Sequence, residues 1–332
     1  MTLIQLRYLV AIADSGLNIT QAAQRVHATQ PGLSKQIKQI EAELGFLLFV
    51  RKGRSLKAMT AAGRYVLERA RRILEETASI RAYAANVRGD TRGRLVIVTT
   101  HTQARHVLPA VLTDLNRTYP QLSVQLIPAA DGDVLGPLED GHADLAVIST
   151  SGEVPGPGLA VPLYGWKRVV VVRSDHPLAK RRRAPDLADL AAQPLLSYES
   201  SRRPDSSFQR AFAHAGLTPR LAMTARDADL IKTYVRENLG VGLLAEMAVS
   251  ARLDPDLVIL PAPPSLPVCT AWAVLPRTRV PRNYVLALLQ RLLPRVDRRD
   301  LQRALEGELP AAWPEPPSWQ DFSTSGASSS AA

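Results

Sequence analysis

The chain is poor in the residues on which metal, disulfide and nucleophile chemistry rely. Of its 332 residues one is cysteine and six are histidine. Cys269 is the lone cysteine, which excludes an internal disulfide and a cysteine-cluster metal centre; its simplest reading is a small buried hydrophobe. His101 and His106 are five apart, off the i, i+4 spacing of a helical metal pair, and His27, His142, His176 and His214 are scattered. There is no H-E-x-x-H, P-loop or G-x-S-x-G, and Gly240-Val241-Gly242 lacks the third glycine of a dinucleotide fingerprint. No metal, no cofactor and no catalytic activity are expected. No apolar stretch is long enough to cross a bilayer, so no membrane partner is expected. No basic segment leads into an apolar block with a cleavage site, so no secretory signal is expected, and a cytoplasmic address suits the single thiol.

What is present is apolar material and positive charge. Apolar residues make up 46% of the chain, enough for a sizeable core, and the length fits two or three domains. The formal net charge of +10 is unevenly spread: the first 94 residues hold 16 Lys and Arg against 7 Asp and Glu. A basic module joined to a near-neutral one reads as a nucleic-acid reader attached to a sensor or partner domain, with a solvated basic face as the plain alternative.

Residues 3–14 (LIQLRYLVAIAD) place Leu6, Leu9, Val10 and Ala13 at helical spacing. Ser15-Gly16-Leu17-Asn18 breaks that helix, and Asn18, three residues before Gln21, opens a second one through Val26 in the manner of a capping box. Thr29-Gln30-Pro31-Gly32 then opens a third; Pro31 is tolerated there because first-turn amides have no intrahelical acceptor. This helix runs to about Leu44 and stops at Gly45, with Leu33, Ile37, Ile40 and Leu44 as its buried stripe. Two short helices joined by a tight turn make a helix-turn-helix. Gln30, Ser34, Lys35 and Lys38, with Pro31 beside them, form the face suited to base edges and phosphates in a major groove. Residues 46–57 (FLLFVRKGRSLK) read as a β-hairpin wing whose Arg51, Lys52 and Arg54 contact phosphates, or as a surface hairpin that is merely basic.

Thr60 is expected to cap a long helix without a breaker between Arg64 and Arg88. Val66, Ala70, Ile73, Thr77, Ile80, Ala84 and Val87 alternate steps of four and three, the spacing of a coiled-coil seam, weakened by Thr77 and two alanines. Dimerisation through residues 60–88 is the expectation, since a two-fold protein reads two half-sites at once; packing on its own domain would give the same periodicity. Residues 89–93, with two glycines, form a hinge. Beyond it, short apolar runs at 95–99, 122–128, 143–148, 169–172, 195–198, 241–244, 257–260 and 270–274 alternate with helical stretches. That pattern predicts an α/β domain over 94–300 with largely parallel sheets covered on both faces. No internal repeat is visible. Arg181-Arg182-Arg183 reads as a solvated loop. Residues 301–332 form a C-terminal extension that turns rich in Pro, Ser and Ala from about Pro310 and is expected to be disordered at its end, with docking of Trp313 and Trp319 as the alternative.

The stretch LRYLVAIADSGLNITQAAQRVHATQPGLSKQIKQIEAELGFLLFVRKGR resembles the winged helix-turn-helix of LysR-type transcriptional regulators, and the order of parts agrees to about Arg298. Within that family, TTHTQARHVLP, YGWKRVVVV with SDHPL after it, AGLTPR and DADLIKTYVRENLGVGLLAEMAV are similar to the CysB and Cbl branch, which controls sulfur assimilation. The resemblance implies a winged helix-turn-helix over 1–59, a dimerising linker helix over 60–88 and a two-lobed α/β effector domain of the periplasmic-binding-protein type. It implies as partners double-stranded promoter DNA, further copies of the chain up to a tetramer, RNA polymerase, and a small anionic effector. The effectors implied are sulfate, thiosulfate, O-acetylserine, N-acetylserine or a sulfur-activation intermediate. The implied targets are genes for sulfate or organosulfur uptake and cysteine synthesis.

In that branch an anion such as sulfate lies between the lobes, and its contacts carry over to Thr100, Thr102, Gln103 and Ser149, with others near Arg202 and Arg203. The residues support the same reading. A helix beginning just after the 95–99 strand offers unpaired amides, and the hydroxyls and the Gln103 amide add donors without a full charge. Ligands of open α/β sheets bind at such strand ends. A Thr at a helix start is equally a plain cap. Two places depart from the branch pattern: Ser149 stands where the branch has Thr, and Ser200-Ser201-Arg202-Arg203-Pro204 replaces a Thr-Gly-Arg-Ser turn. Pointing inward, Arg203 would pair bidentately with an anion and favour a ligand more negative than sulfate; pointing outward, it faces solvent beside Arg202. Trp166 and Tyr164 either wall the cleft or pack the core. Asp227 and Asp229 open a helix facing the cleft, or only cap it. The function expected is ligand-controlled transcription regulation. A LysR-type regulator of another pathway is the alternative within that class; an α/β solute-binding or enzymatic module is the alternative outside it.

Overall fold

The computed structural model describes residues 1–308 and 313–328, apart from Arg54, Asp131, Arg182 and Pro294. The chain forms two units, Met1–Arg88 with Thr278–Pro281, and Gly89–Arg277 with Arg282–Ala332. Among the described residues no helix is long and apolar enough to cross a membrane.

In the first unit, α1 (Leu3–Asp14), α2 (Ile19–Arg25) and α3 (Gln30–Leu44) each start on a polar cap: Thr2 accepts from the Gln5 amide, Asn18 from Gln21 and Thr29 from Gly32. α3 stops at Gly45, whose φ of +76° is the left-handed turn that favours glycine. Leu9, Ile12, Leu33, Ile37 and Ile40 are fully buried where the three helices meet; each such side chain contributes roughly 1.5–3 kcal/mol. Leu44 is only half-buried, and the stripe contains a charge that apolar periodicity does not reveal, Glu41, at 6% exposure. Strands β1 (Phe49–Lys52) and β2 (Ser55–Met59) pair antiparallel as the wing.

Thr60 caps α4 (Ala61–Val87), accepting from the Gly63 amide at 2.8 Å and donating to Leu47 O at 2.8 Å. A Cβ on Gly63 would lie 2.1 Å from Leu48 O, so only glycine lets this helix approach the wing. The expected seam divides. Val66 and Ala70 pack on the α1–α3 core, while Ile73, Ile80 and Val87 are exposed, with Tyr83 beside them. Another face of α4 is covered: Val280 N donates to Ser79 Oγ at 3.3 Å and Asn86 Nδ2 to Pro281 O at 2.9 Å.

The second unit runs β3 (Gly93–Thr99), α5 (His101–His106), α6 (Leu108–Thr118), β4 (Leu122–Pro128), α7 (Gly136–Glu139), β5 (Leu145–Thr150), β6 (Leu159–Trp166) and β7 (Arg168–Arg173). It continues with α8 (Leu187–Ala191), β8 (Pro194–Tyr198), α9 (Ser207–His214), β9 (Arg220–Ala225), α10 (Ala228–Arg236), β10 (Val241–Ala245), β11 (Leu257–Pro261) and β12 (Cys269–Leu275). The helices α11 (Asn283–Leu292), α12 (Arg298–Leu305) and α13 (Trp319–Ser328) end it. Two five-stranded sheets result, in the orders β4-β3-β5-β12-β6 and β9-β8-β10-β7-β11. Each has two parallel pairings followed by two antiparallel ones. The sheets are therefore mixed, not largely parallel, and the lobes repeat one topology although the sequence shows no repeat. The chain passes between them at Lys167 and again between β11 and β12.

Two strands escaped the sequence reading, both of them edges. β6 contains Pro162 and Gly165, which read as strand breakers but are tolerated at a sheet edge. β9 is half-exposed and lacks a continuous apolar run. The end of the chain also departs from expectation. Leu301 and Ala304 of α12 are buried past residue 300, and Trp313, Trp319 and Phe322 pack against the first lobe. The docking of Trp313 and Trp319 that the sequence left as the alternative is what the structure shows, with Phe322 as a third anchor.

Candidate functional site: a donor-lined cleft between two lobes

The parallel strands of both sheets end at a cleft of about 250 Å³, and Thr100, Thr102, Gln103, Ser149, Trp166 and Arg203 all line it. The first of the polar residues at 99–103 is structural: Thr99 is fully buried and donates to Val147 O at 2.9 Å, tying β3 to β5. Thr100 lines the cleft and also caps α5, 3.5 Å from the Gln103 amide. Thr102 Oγ1 reaches across to Tyr198 OH of the other lobe at 3.4 Å, and that hydroxyl accepts from Ala245 N at 3.2 Å.

Gln103 is the centre of the arrangement. It is 1% exposed, accepts from Tyr164 OH through Oε1, and donates from Nε2 to Ser149 Oγ at 3.2 Å. Tyr164 is fully buried, and burial pushes its phenol far above the ordinary range, so it remains a donor. Met247 Sδ at 3.9 Å is a weaker acceptor than the amide oxygen. Trp166 Nε1 also donates to Ser149 Oγ, at 3.1 Å. A hydroxyl oxygen that accepts two hydrogen bonds has one function left, its own proton. Ser149 is thereby set as a donor for whatever occupies the cleft. Trp166 walls the cleft, while Tyr164 sits behind Gln103 and orients it.

Arg203 lines the cleft but is already paired. It holds Asp205 bidentately, Nη2 to Oδ2 at 2.6 Å and Nε to Oδ1 at 3.1 Å, at the mouth opposite Gly132. That hydrogen bonding keeps the Asp205 carboxyl below its ordinary range. Arg202 instead donates to Thr224 Oγ1 at 2.8 Å. Asp227 caps α10, accepting from the Asp229 amide, and Asp229 pairs with Lys232 at 2.8 Å; neither lines the cleft. The second lobe brings residues not singled out from sequence: Ser201, Ser206, Ser207 and Arg168. Arg168 lies 5.8 Å over the Trp166 ring and donates to Ser207 Oγ at 2.8 Å. The signal was available, because the serines at 200–207 follow β8 as the threonines follow β3. Among the described residues no His, Cys, Asp and Glu cluster could hold a metal ion.

In the first unit Gln30, Pro31, Lys35 and Lys38 are exposed on α3 and Ser34 is half-buried, opposite the buried Leu33, Ile37 and Ile40. Lys52 is exposed in the wing. Arg51 turns back to Glu41, Nη2 to Oε2 at 2.8 Å. Arg54 lies outside the described residues.

Residues 3–64 match the bacterial regulatory helix-turn-helix protein, lysR family, and residues 88–297 match the LysR substrate binding domain. The chain is 36% identical to the HTH-type transcriptional regulator CysB of Haemophilus influenzae over 304 residues, 92% of this chain and 94% of that protein. It is 34% identical to the HTH-type transcriptional regulator cbl of Escherichia coli K12 over 286 residues, 86% of this chain and 90% of that one. Among solved structures, the cofactor-binding domain of the Cbl transcriptional regulator aligns with a TM-score of 0.59 and 32% identity, covering 65% of this chain and 94% of that domain. A donor-lined cleft between paired lobes, an exposed polar recognition helix and matches over both halves lead to one conclusion: the chain belongs to the LysR family of transcriptional regulators and is a homologue of CysB and Cbl.

Proposed function

We propose that this regulator controls genes of sulfur assimilation, cysteine synthesis or organosulfur uptake in response to a small oxyanion held between its lobes. The observation that carries the reading is Ser149, whose oxygen accepts from both Gln103 and Trp166 and so presents its proton to the cleft. A donor fixed in this way selects a deprotonated oxygen, and hydroxyl and amide donors beside Arg168 and Arg203 suit such a group. Asp205 already pairs with Arg203, which favours a sulfate-sized anion or the carboxylate of an acylated serine over a more highly charged ligand.

On the DNA side, α3 enters a major groove with Gln30, Ser34, Lys35 and Lys38 while Lys52 meets the backbone. The exposed Ile73, Ile80 and Val87 of α4 pair with a second copy, and effector domains pair further toward a tetramer. A cytoplasmic address, promoter DNA and contact with RNA polymerase belong to the same reading. The ligand acts only in so far as it binds two assembly states with different affinity.

The test is a thermal-shift titration of the full chain with sulfate, thiosulfate, O-acetylserine and N-acetylserine at matched chloride. A true ligand at a hundredfold excess over its Kd adds about 2.7 kcal/mol. Saturable stabilisation by one of these, absent in Ser149→Ala and retained in Ser149→Thr, supports the assignment. No saturable shift with any of the four overturns it.

A further inference from the structure

We propose that the docked C-terminal segment, residues 317–322, is a positioning element of the effector cleft: by clamping Tyr164 it fixes the amide of Gln103, and through it the direction in which Ser149 donates. The inference rests on the reading of the cleft as an anion site.

The segment is held by backbone as well as rings. Gly165 N, on the edge strand β6 and adjacent to Tyr164, donates to Pro317 O at 2.8 Å. Ser318 then opens α13, accepting from the Asp321 amide at 3.2 Å and donating to Asp321 Oδ2 at 2.8 Å. One turn of helix brings two rings onto Tyr164, Phe322 at 4.5 Å and Trp319 at 5.2 Å between centroids, and these lie 5.9 Å from one another. Tyr164 is fully buried and Phe322 nearly so. From the ring, three contacts lead into the cleft: Tyr164 OH to Gln103, Gln103 to Ser149, and Trp166 to Ser149.

Each step has a definite polarity. The phenol proton finds a far better acceptor in the amide oxygen than in Met247 Sδ, so the oxygen faces Tyr164 and the NH₂ is left for Ser149. With the phenol displaced, nothing holds the amide in that sense. Turned over, Gln103 presents its oxygen to Ser149; the serine then donates inward and has no proton for a ligand. The segment lies behind the amide, outside the cleft lining, and acts on the ligand only through it. Linkage requires the converse: an anion that selects the donating state of Ser149 must also favour the docked segment.

The experiment uses the full chain with sulfate and thiosulfate as probes, binding read by calorimetry at constant ionic strength. Phe322→Ala removes the clamp; Tyr164→Phe keeps the ring and its packing and removes only the proton. Each should weaken sulfate binding about tenfold, the worth of one oriented hydrogen bond, and the double variant should be no weaker than either single one. In the wild type, hydrogen exchange of the 317–324 amides should slow when sulfate saturates the protein. That measurement stands even where Phe322→Ala folds poorly. Wild-type affinity in both variants, with exchange unaltered by sulfate, overturns the positioning role alone. No binding of either anion by the wild type overturns the anion-site reading and this inference with it.

Discussion

Glu41 offers a sharp test of how the reading head is held together. It sits on α3 at 6% exposure, with Oε1 accepting from Leu48 N at 2.9 Å and Phe49 N at 3.3 Å, and Oε2 pairing with Arg51 at 2.8 Å. One carboxylate thus ties the recognition helix to the first strand of the wing. Replacement by alanine leaves two amides of fully buried residues without an acceptor, at about 1–3 kcal/mol each. Arg51 is partly solvated, so its lost partner adds only about 0–1 kcal/mol. The sum is about 2–7 kcal/mol, centred near 4, a large share of the roughly 5–15 kcal/mol that holds a typical domain. Glu41→Gln keeps an oxygen for the amides and should be milder, about 1 kcal/mol. The assay is hydrogen exchange at increasing urea, followed in peptides from α3 and β1. With a slope of about 2 kcal/mol/M, alanine should lower the midpoint of these peptides by about 2 M. A Glu41→Ala midpoint within about 0.5 M of wild type, or Glu41→Gln as damaging as alanine, would refute the brace.

Other expectations follow from single residues. Lys35→Ala and Lys38→Ala should each reduce the slope of log Kd against log salt by about 0.9 for operator DNA; an unchanged slope removes that residue from the phosphate contacts. Ile80→Asp, on the exposed stripe of α4, should shift the sedimentation coefficient toward the monomer without changing the thermal midpoint of the effector lobes, and an unaltered coefficient sinks pairing through that helix. Burial holds the His106 imidazole below its ordinary pKa, against the pull of Asp229 and with Lys232 and Arg105 pushing the same way as burial. The unfolded chain therefore takes up the proton first. The stability this gives is present above about pH 6.5 and is lost as pH falls through the folded value. Urea titrations from pH 7.5 to 5 should show falling stability, with a shallower fall in His106→Asn; equal slopes would assign the effect elsewhere, His176 being shifted downward by burial as well.

How much was legible in the sequence tracks how local the physics is. The three N-terminal helices begin on Thr2, Asn18 and Thr29 and the third ends at Gly45, because a cap and a left-handed turn involve only neighbours in sequence. The cleft residues of the first lobe were legible for the same reason, their hydroxyls standing at the end of a readable strand. What was hidden depends on distant partners. Glu41 reads as a surface charge until Leu48 and Phe49 are folded over it. The pairing of Arg51 with Glu41 is not legible either, ten residues apart on different elements. Antiparallel β12 and β7 look like any apolar run, since direction is decided by a crossover and not by composition. Pro162 reads as a breaker until β6 is an edge. Trp319 could be named as a docking residue, but not that it and Phe322 would meet on Tyr164.

The hydroxyls at the strand ends show how one motif divides its labour, and they do so twice. Thr99 ends the first strand of one sheet and donates across to the third, to Val147 O at 2.9 Å. Ser197, near the end of the corresponding strand in the other sheet, donates to Leu243 O at 3.1 Å. Both are buried, and neither lines the cleft. In each lobe the hydroxyl nearest the sheet closes the sheet, and those farther along the turn line the cleft: Thr100 and Thr102 on one side, Ser201 on the other. Ser201 still touches its clamp, at 2.9 Å from Ser197 Oγ. The polar run at 99–103 is therefore not five equal ligand contacts. It is a sheet clamp, a helix cap, a bridge to Tyr198 and one amide whose orientation is imposed from behind. Removing the first of these should damage folding, and removing the last should damage recognition. Two lobes with unrelated sequences arrive at the same division because the geometry at the carboxyl end of a central strand allows little else.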